Sequence, residues 1–156
     1  MTLPESLLPE LSEWRPAGSG RHELSVPAAG WAVRLTADKA DTLSCLAWEL
    51  ALTRTGDAPA GLTLRAWAEG VAARATGLLE PLKLLEVDDA RGEALLRSAP
   101  PATKGGRVAY YEVRLHGLDR ADVRRFAASR AESGREQVAF ALTHEVLAKL
   151  AGDIAG

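Results

Sequence analysis

Residues 62–99 read LTLRAWAEGVAARATGLLEPLKLLEVDDARGEALLRSA, and they decide the fold because a helical pattern gives way here to two strand patterns. Thr63 suits a helix N-cap, since its hydroxyl can accept from a first-turn N–H. Pro81 stops a helix, because it lacks an N–H and clashes with the preceding turn. The segment therefore predicts a long amphipathic helix over 62–79. Its apolar face comprises Leu64, Trp67, Ala68, Val71, Ala75, Leu78 and Leu79.

Two apolar-rich segments, 82–87 and 93–98, follow Pro81 and flank a polar turn. Asp88 and Asp89 suit that turn, because an aspartate can accept hydrogen bonds from nearby backbone N–H groups. A connection this short joins antiparallel strands. The stretch thus predicts a β-hairpin directly after the helix.

The N-terminal region predicts a short helix over 3–14, although Pro9 lies inside it. Strands are predicted at 22–26 and 31–36, and a polar turn at 37–41. The next segment, 43–53, alternates as a strand but is apolar almost all round as a helix. We favour the strand, because a hairpin-sized turn precedes it.

The C-terminal region continues the strand pattern. Alternation predicts a strand over 107–115, and we favour a strand over a helix for 122–129 because it would extend the meander by one hairpin. A turn at 131–134 and an extended piece at 138–140 follow. A final amphipathic helix is predicted over 142–154.

These elements predict one α+β domain over residues 1–156, with short loops near 15–21, 55–61 and 100–106. The order is helix, three strands, helix, about four strands, helix. Short connections imply antiparallel pairing. We therefore expect an antiparallel sheet of about six to seven strands with three helices.

The composition is that of a soluble globular protein, with 47% hydrophobic and 26% charged residues. The net charge of −2 argues against a generic nucleic-acid binder, which carries a basic field. No apolar run is long enough to span a membrane, and the N-terminus lacks the pattern of a secretory signal. Abundant arginine and alanine with scarce lysine indicate a bacterial source. We expect a cytoplasmic protein.

The single cysteine, Cys45, excludes an intramolecular disulfide and fits a reducing compartment. No local signature marks it as a nucleophile, and free cysteine behaves as a small buried hydrophobe. The sequence contains no nucleophile elbow and no phosphate-binding loop. We therefore expect no catalytic residue and no cofactor.

The histidines do not predict a metal site. His144 and Glu145 resemble the start of a zinc-protease motif, but that motif needs a second histidine at the position of Ala148. His22 and His116 lack partners at ligand spacing. We expect no bound metal.

Three glutamates, Glu80, Glu86 and Glu112, could converge if the helix end and two strands lie side by side. With Tyr110 or Tyr111 they would line a sheet–helix pocket of a small-molecule-binding or enzymatic domain. The simpler interpretation, which we favour, is that they are solvated or pair with arginines.

Arginines outnumber carboxylates in the C-terminal strand region. The arginines are Arg107, Arg114, Arg120, Arg124, Arg125, Arg130 and Arg135. If Arg124 lies on an exposed face near Arg114, these two and Arg125 are candidates for binding an anion or an acidic partner. The stacking aromatics of a single-strand binder are not interleaved with them, so nucleic acid is not the expected partner. A solvated charged face is the simpler interpretation.

The aromatic residues offer a second candidate surface. Trp14, with Leu7 and Leu11, forms an apolar stripe that could contact a partner protein, because buried aromatic anchors dominate interfaces. Core packing of the same stripe is the interpretation we favour. The other tryptophans, Trp31, Trp48 and Trp67, fall on predicted core faces.

The order of elements over residues 3–154 resembles that of the small acidic chaperones of type III secretion, with 62–79 in the place of their central helix. That resemblance implies a single α+β domain, a homodimer and a protein partner. With no catalytic constellation in the sequence, we expect a non-enzymatic, chaperone-like protein-interaction module. A small-molecule-binding or enzymatic domain is the alternative.

Overall fold

The computed structural model describes residues 1–129 and 131–156, and over these residues it has three helices and ten strands. The helices are α1 (Leu3–Glu13), α2 (Leu64–Arg74) and α3 (His144–Ala155). The strands before α2 are β1 (His22–Ala28), β2 (Trp31–Ala40) and β3 (Ser44–Arg54). Those after it are β4 (Leu82–Asp88), β5 (Glu93–Ser98), β6 (Ala102–Lys104), β7 (Arg107–His116), β8 (Arg120–Ser129), β9 (Glu136–Val138) and β10 (Phe140–Thr143).

Each helix begins at a threonine cap, at Thr2, Thr63 and Thr143. In each case the side-chain oxygen accepts from the backbone N–H three residues later. This bond satisfies a donor that has no partner inside the helix. The predicted cap at Thr63 is therefore confirmed.

The central helix is shorter than the sequence predicts, because α2 ends at Arg74 rather than at residue 79. Ala75 and Leu78 are still buried, but irregular chain carries them to the core. Leu79 adopts a φ of 63° and is 95% exposed, so it belongs to no helical face. Gly77 and the β-branched Thr76 are weak helix formers, which explains the early end.

The strands form one open antiparallel sheet in the order β1-β2-β3-β8-β7-β5-β4. Three short strands lie beside this path: β6 pairs with β7, β9 with β8, and β10 with β3. The α+β class and the three helices agree with the prediction, but the described residues hold ten strands rather than six or seven. The two ambiguous segments, 43–53 and 122–129, are strands.

Three local predictions need correction. The polar turn expected at 37–41 is strand as far as Ala40, because buried Ala37 continues the inward alternation of β2. The loop expected at 100–106 contains β6, which pairs with β7. The last helix starts at His144 rather than at residue 142, because Leu142 pairs with β3.

The three helices pack on one face of the sheet, where the core lies. Trp67 of α2 donates from Nε1 to the carbonyl oxygen of Ile154 in α3 at 2.8 Å. Gly152 of α3 lets α1 approach closely, since a Cβ there would lie 2.6 Å from Cγ of Pro4. The opposite face carries charged side chains and none of the described helices. We call it the open face.

Candidate functional site

The open face carries a lattice of ion pairs that crosses β2, β3, β8, β7 and β5. Because strand side chains alternate, every second residue of these strands points to this side. The lattice comprises Arg34, Glu49, Glu93, Arg97, Glu112, Arg114, His116, Asp122, Arg124 and Arg135.

One part of the lattice connects β2 to β7. Glu49 accepts from Nη2 of Arg34 at 3.2 Å and from Nε of Arg124 at 2.6 Å. Asp122 lies 4.0 Å from Arg124 and 3.0 Å from Nε2 of His116. Glu49 therefore lies between two arginines, and Asp122 lies between Arg124 and the imidazole of His116.

The other part centres on Glu112, whose side chain is almost fully buried. Arg97 and Arg135 donate to its Oε2, and Nη2 of Arg114 lies 3.7 Å from Oε1. Burial alone would raise the pKa of Glu112, but the hydrogen bonds from Arg135 and Arg97 outweigh it and the pKa is lowered. The carboxylate therefore stays ionised at neutral pH.

Most carboxylates of the lattice lie deeper than its arginines. The arginine side chains Arg34, Arg97, Arg114, Arg124 and Arg135 are 31–50% exposed. The carboxylates beneath them, Glu49, Glu112 and Asp122, are only 1–13% exposed, whereas Glu93 on β5 is 41% exposed. Over β3, β8 and β7, an approaching molecule therefore meets guanidinium groups before the carboxylates beneath them.

Aromatic rings pack against two of the arginines, Arg97 of β5 and Arg135 in the segment before β9. The guanidinium carbon of Arg97 lies 4.6 Å from the ring centre of Tyr110, and that of Arg135 lies 3.7 Å from Phe126. Arg135 also donates to the hydroxyl of Tyr110 at 3.2 Å. Stacking of this kind holds the guanidinium planes in place.

The structure separates the three arginines that the sequence singled out. Arg114 and Arg124 lie on the open face, on the paired strands β7 and β8. Arg125 points to the opposite face, where it pairs with Glu80 at 3.2 Å and stacks over Tyr111 at 4.3 Å. Adjacent residues of a regular strand point to opposite faces, so Arg124 and Arg125 cannot act together. Arg130 lies outside the described residues.

The expected glutamate and tyrosine pocket does not assemble. Glu112 and Tyr110 lie on the open face, whereas Glu80 and Tyr111 lie on the helix-covered face. Glu86 is exposed on β4. Glu80 and Glu112 each pair with arginine, as the simpler interpretation expected.

The stripe on α1 lies mostly inside the protein. Leu7 and Leu11 are buried in the core, and Trp14 is half-buried against it. In this fold the two leucines pack in the core, so they cannot present a surface to a partner.

The thiol of Cys45 is buried, and burial raises its pKa to about 11. A thiol with such a pKa is protonated at neutral pH and is a poor nucleophile. His144 is also buried, at the start of α3. Across residues 1–129 and 131–156, no three His, Cys, Asp or Glu side chains are grouped to hold a metal ion.

Two concave regions accompany these features. A groove of about 640 Å³ lies between α1 and α3 and is lined largely by apolar residues, among them Leu3, Leu8 and Ala148. A depression of about 540 Å³ on the open face is lined by Arg34, Arg120 and other polar groups. The second lies directly beside the ion-pair lattice.

Sequence reasoning missed three members of the lattice, Arg34, Glu49 and Arg97, and it named Arg135 only as one of the C-terminal arginines. The alternation of β7 does place Glu112 and Arg114 on one face, which is the signal that was available. However, Arg135 follows Glu112 by 23 residues and Arg124 follows Glu49 by 75. Only the strand order brings these residues together.

Comparison with known protein families, characterised proteins and solved structures found no match to this chain. In the described part of the chain, no helix is both long and apolar enough to cross a bilayer.

Proposed function

We propose that this chain is a non-enzymatic protein-interaction module whose open face binds an acidic segment of a partner protein. The observation that carries the proposal is the layered charge of that face. The arginines lie above the deeper carboxylates Glu49, Glu112 and Asp122, whereas the exposed carboxylates Glu93 and Glu86 lie on β5 and β4. Over β8 and β7, carboxylates of a partner can approach the guanidinium groups before they meet the carboxylates beneath.

The arginines keep donors available for such a partner. A guanidinium has five N–H donors. Arg97 directs Nε and Nη2 toward Glu112, and Arg34 directs Nη2 toward Glu49. The remaining N–H groups of these half-exposed side chains can bind carboxylates in the bidentate geometry that arginine favours.

The aromatic residues add a second feature typical of interfaces. Tyr110 and Phe126 are half-buried beside Arg97 and Arg135, with their ring centres 6.3 Å apart. Tyrosine and arginine are enriched among the residues that contribute most to protein–protein binding. A partner that covers this cluster would desolvate it and strengthen its electrostatic contacts.

The arrangement is poorly suited to acid–base catalysis. A general acid or base works best with a pKa near the working pH. The pKa of Glu112 is lowered by its arginines, so it stays ionised. The pKa of Tyr111 is raised, mainly by burial, and this residue lies on the other face of the sheet.

Binding of a small apolar molecule is the second candidate function, and the groove between α1 and α3 favours it. Its volume of about 640 Å³ falls in the range of ligand sites. The chaperone-like interpretation stays part of the first proposal. It does not carry that proposal, because likeness in element order alone does not establish function.

The test is binding of a short fluorescein-labelled peptide rich in Asp and Glu, followed by fluorescence anisotropy. Arg114→Gln and Arg124→Gln should each weaken binding about tenfold, the value of one charge-assisted hydrogen bond. Both variants leave Glu112 and Glu49 with an arginine partner. The control is Arg65→Gln, because the Arg65 side chain is exposed on α2, a helix that packs on the opposite face of the sheet from the lattice.

Two outcomes would contradict the proposal. One is equal weakening by the control, because binding would then reflect overall charge. The other is tighter binding of single-stranded DNA of the same charge than of the peptide, because the partner class would then be nucleic acid. Peptide affinity should also fall steeply with added salt, since the contacts are between exposed charges.

A further inference from the structure

The sheet is open and ends on one side at β4, which pairs only with β5 among the described strands. The outward backbone groups of such an edge strand are available to another strand. The opposite edge, β1, contains Pro27, which has no N–H to offer. β4 contains no proline and no glycine. It is therefore the more receptive edge.

Exposed leucines mark the same edge. Leu85 lies in β4 and is 52% exposed, and Leu79, just before the strand, is 95% exposed. Leu79 also adopts a φ of 63°, a conformation that costs a non-glycine residue free energy. Large apolar side chains held in water beside an unpaired strand are typical of a surface that another chain covers.

Two features of β4 usually protect an edge: the charged Lys83 and the bulge at Leu85. Here, however, the charges are self-complementary. Lys83 lies opposite Arg97 of β5, and Glu86 lies opposite Leu95, so both point to the open face. The bulge brings them to the same side although they are three positions apart, a spacing that puts residues of a regular strand on opposite faces.

We propose that β4 is a dimer interface, on which β4 of a second copy pairs in antiparallel fashion. Lys83 lies opposite Glu86 of the second copy, and Glu86 lies opposite its Lys83. The same register places Leu82 opposite Val87 on the helix-covered face. Each charge then meets its opposite, whereas most strands from other proteins would leave one of them unmatched.

Such a dimer joins the two open faces into one. Three strand spacings, about 14 Å, would separate the two copies of β5. The two Arg97 clusters would then lie near enough for one extended acidic segment to contact both. This consequence rests on the proposed function, but the dimer itself does not.

The experiment is light scattering coupled to size-exclusion chromatography over a range of protein concentrations. The molar mass measured for the wild-type protein should be twice the chain mass of 16.6 kDa. Lys83→Glu and Glu86→Lys, each alone, should shift the equilibrium to monomer because like charges then face each other. The double variant carrying both changes should restore the dimer.

The charge-swap design keeps the test independent of folding, since both residues are exposed and circular dichroism can verify the fold. Leu43→Lys is the control, because Leu43 is exposed in the turn between β2 and β3. A wild-type monomer at all concentrations would overturn the proposal. A double variant as monomeric as the single ones would overturn it too. Peptide binding by a monomeric chain would leave the proposed function standing.

Discussion

Arg97 and Glu112 lie directly opposite each other on β5 and β7, and Arg97 donates to Oε2 of Glu112 from Nε at 3.1 Å and from Nη2 at 2.8 Å. Arg135 reaches the same oxygen from the segment before β9. Oε1 has no hydrogen-bond partner among the described residues, and Nη2 of Arg114 lies 3.7 Å from it. The centre of the open face is therefore a buried anion under a layer of arginines.

Replacing Glu112 with glutamine should reduce stability in a pH-dependent way. The pKa of Glu112 is lowered in the folded state, so its ionised form stabilises the fold above the unfolded value of about 4.3. This contribution is lost as the pH falls through the lower folded pKa. Urea unfolding should show E112Q less stable by about 1–3 kcal/mol at neutral pH.

The same difference should shrink as the pH falls through the lowered folded pKa of Glu112, where the wild-type carboxyl takes up a proton. Glu69→Gln is the control, because Glu69 makes only an exposed pair with Arg65 at 3.9 Å. Its effect should stay within about 0.5 kcal/mol. A deficit for E112Q that does not change with pH would argue against an ion-pair origin.

Trp67 should be the most sensitive position of the helix layer. Trp67→Ala should lower the free energy of unfolding by about 3–5 kcal/mol, because it empties a buried site. Trp67→Phe keeps most of the packing but removes the donor to Ile154. It should cost about 1–3 kcal/mol. A fully stable alanine variant in chemical denaturation would show that the core assignment of α2 is wrong.

Two helical glycines should respond to alanine with opposite signs. At Gly152 a Cβ would lie 2.6 Å from Cγ of Pro4, so G152A should separate α1 from α3 and cost about 1–3 kcal/mol. At Gly70 the nearest atoms belong to the flexible end of Arg74, which can move aside. G70A should therefore stabilise by up to about 1 kcal/mol. Thermal unfolding of both variants measures the two changes in stability. Equal changes would contradict the close α1–α3 contact.

Cys45 should resist alkylation in the folded protein. Its side chain is buried, and burial raises the pKa of the thiol to about 11. Iodoacetamide at neutral pH should therefore modify it slowly, as followed by intact mass, and rapidly once urea unfolds the chain. Rapid reaction of the folded chain would show that the residues covering Cys45 open to solvent.

Strand β7 and the cap of α2 were predictable from sequence, because each follows from a local pattern. Alternation over 107–115 identifies β7, and Thr63 marks the start of α2. The pattern of 122–129 also fits a helix, and only the expected extra hairpin favoured the strand that became β8. The three-residue strands β6 and β9 are too short to show a period. They exist because a long neighbour offers them backbone partners.

The candidate site was less predictable, because it depends on strand order. β8 lies between β3 and β7, which places Glu49 beside Arg124. No local spacing indicates this neighbourhood. By contrast, the separation of Arg124 from Arg125 follows from strand alternation alone. The sequence could therefore have shown that these two arginines lie on opposite faces of the sheet.

An NMR titration with the acidic peptide can follow the side-chain Nε–H signals of the arginines one by one. If the outer arginines of the open face bind acidic polypeptide, the signals of Arg97, Arg114, Arg124 and Arg135 shift, and those of Arg65 and Arg74 of α2 do not. Shifts confined to the α2 arginines, or none at saturating peptide, would contradict binding at the open face.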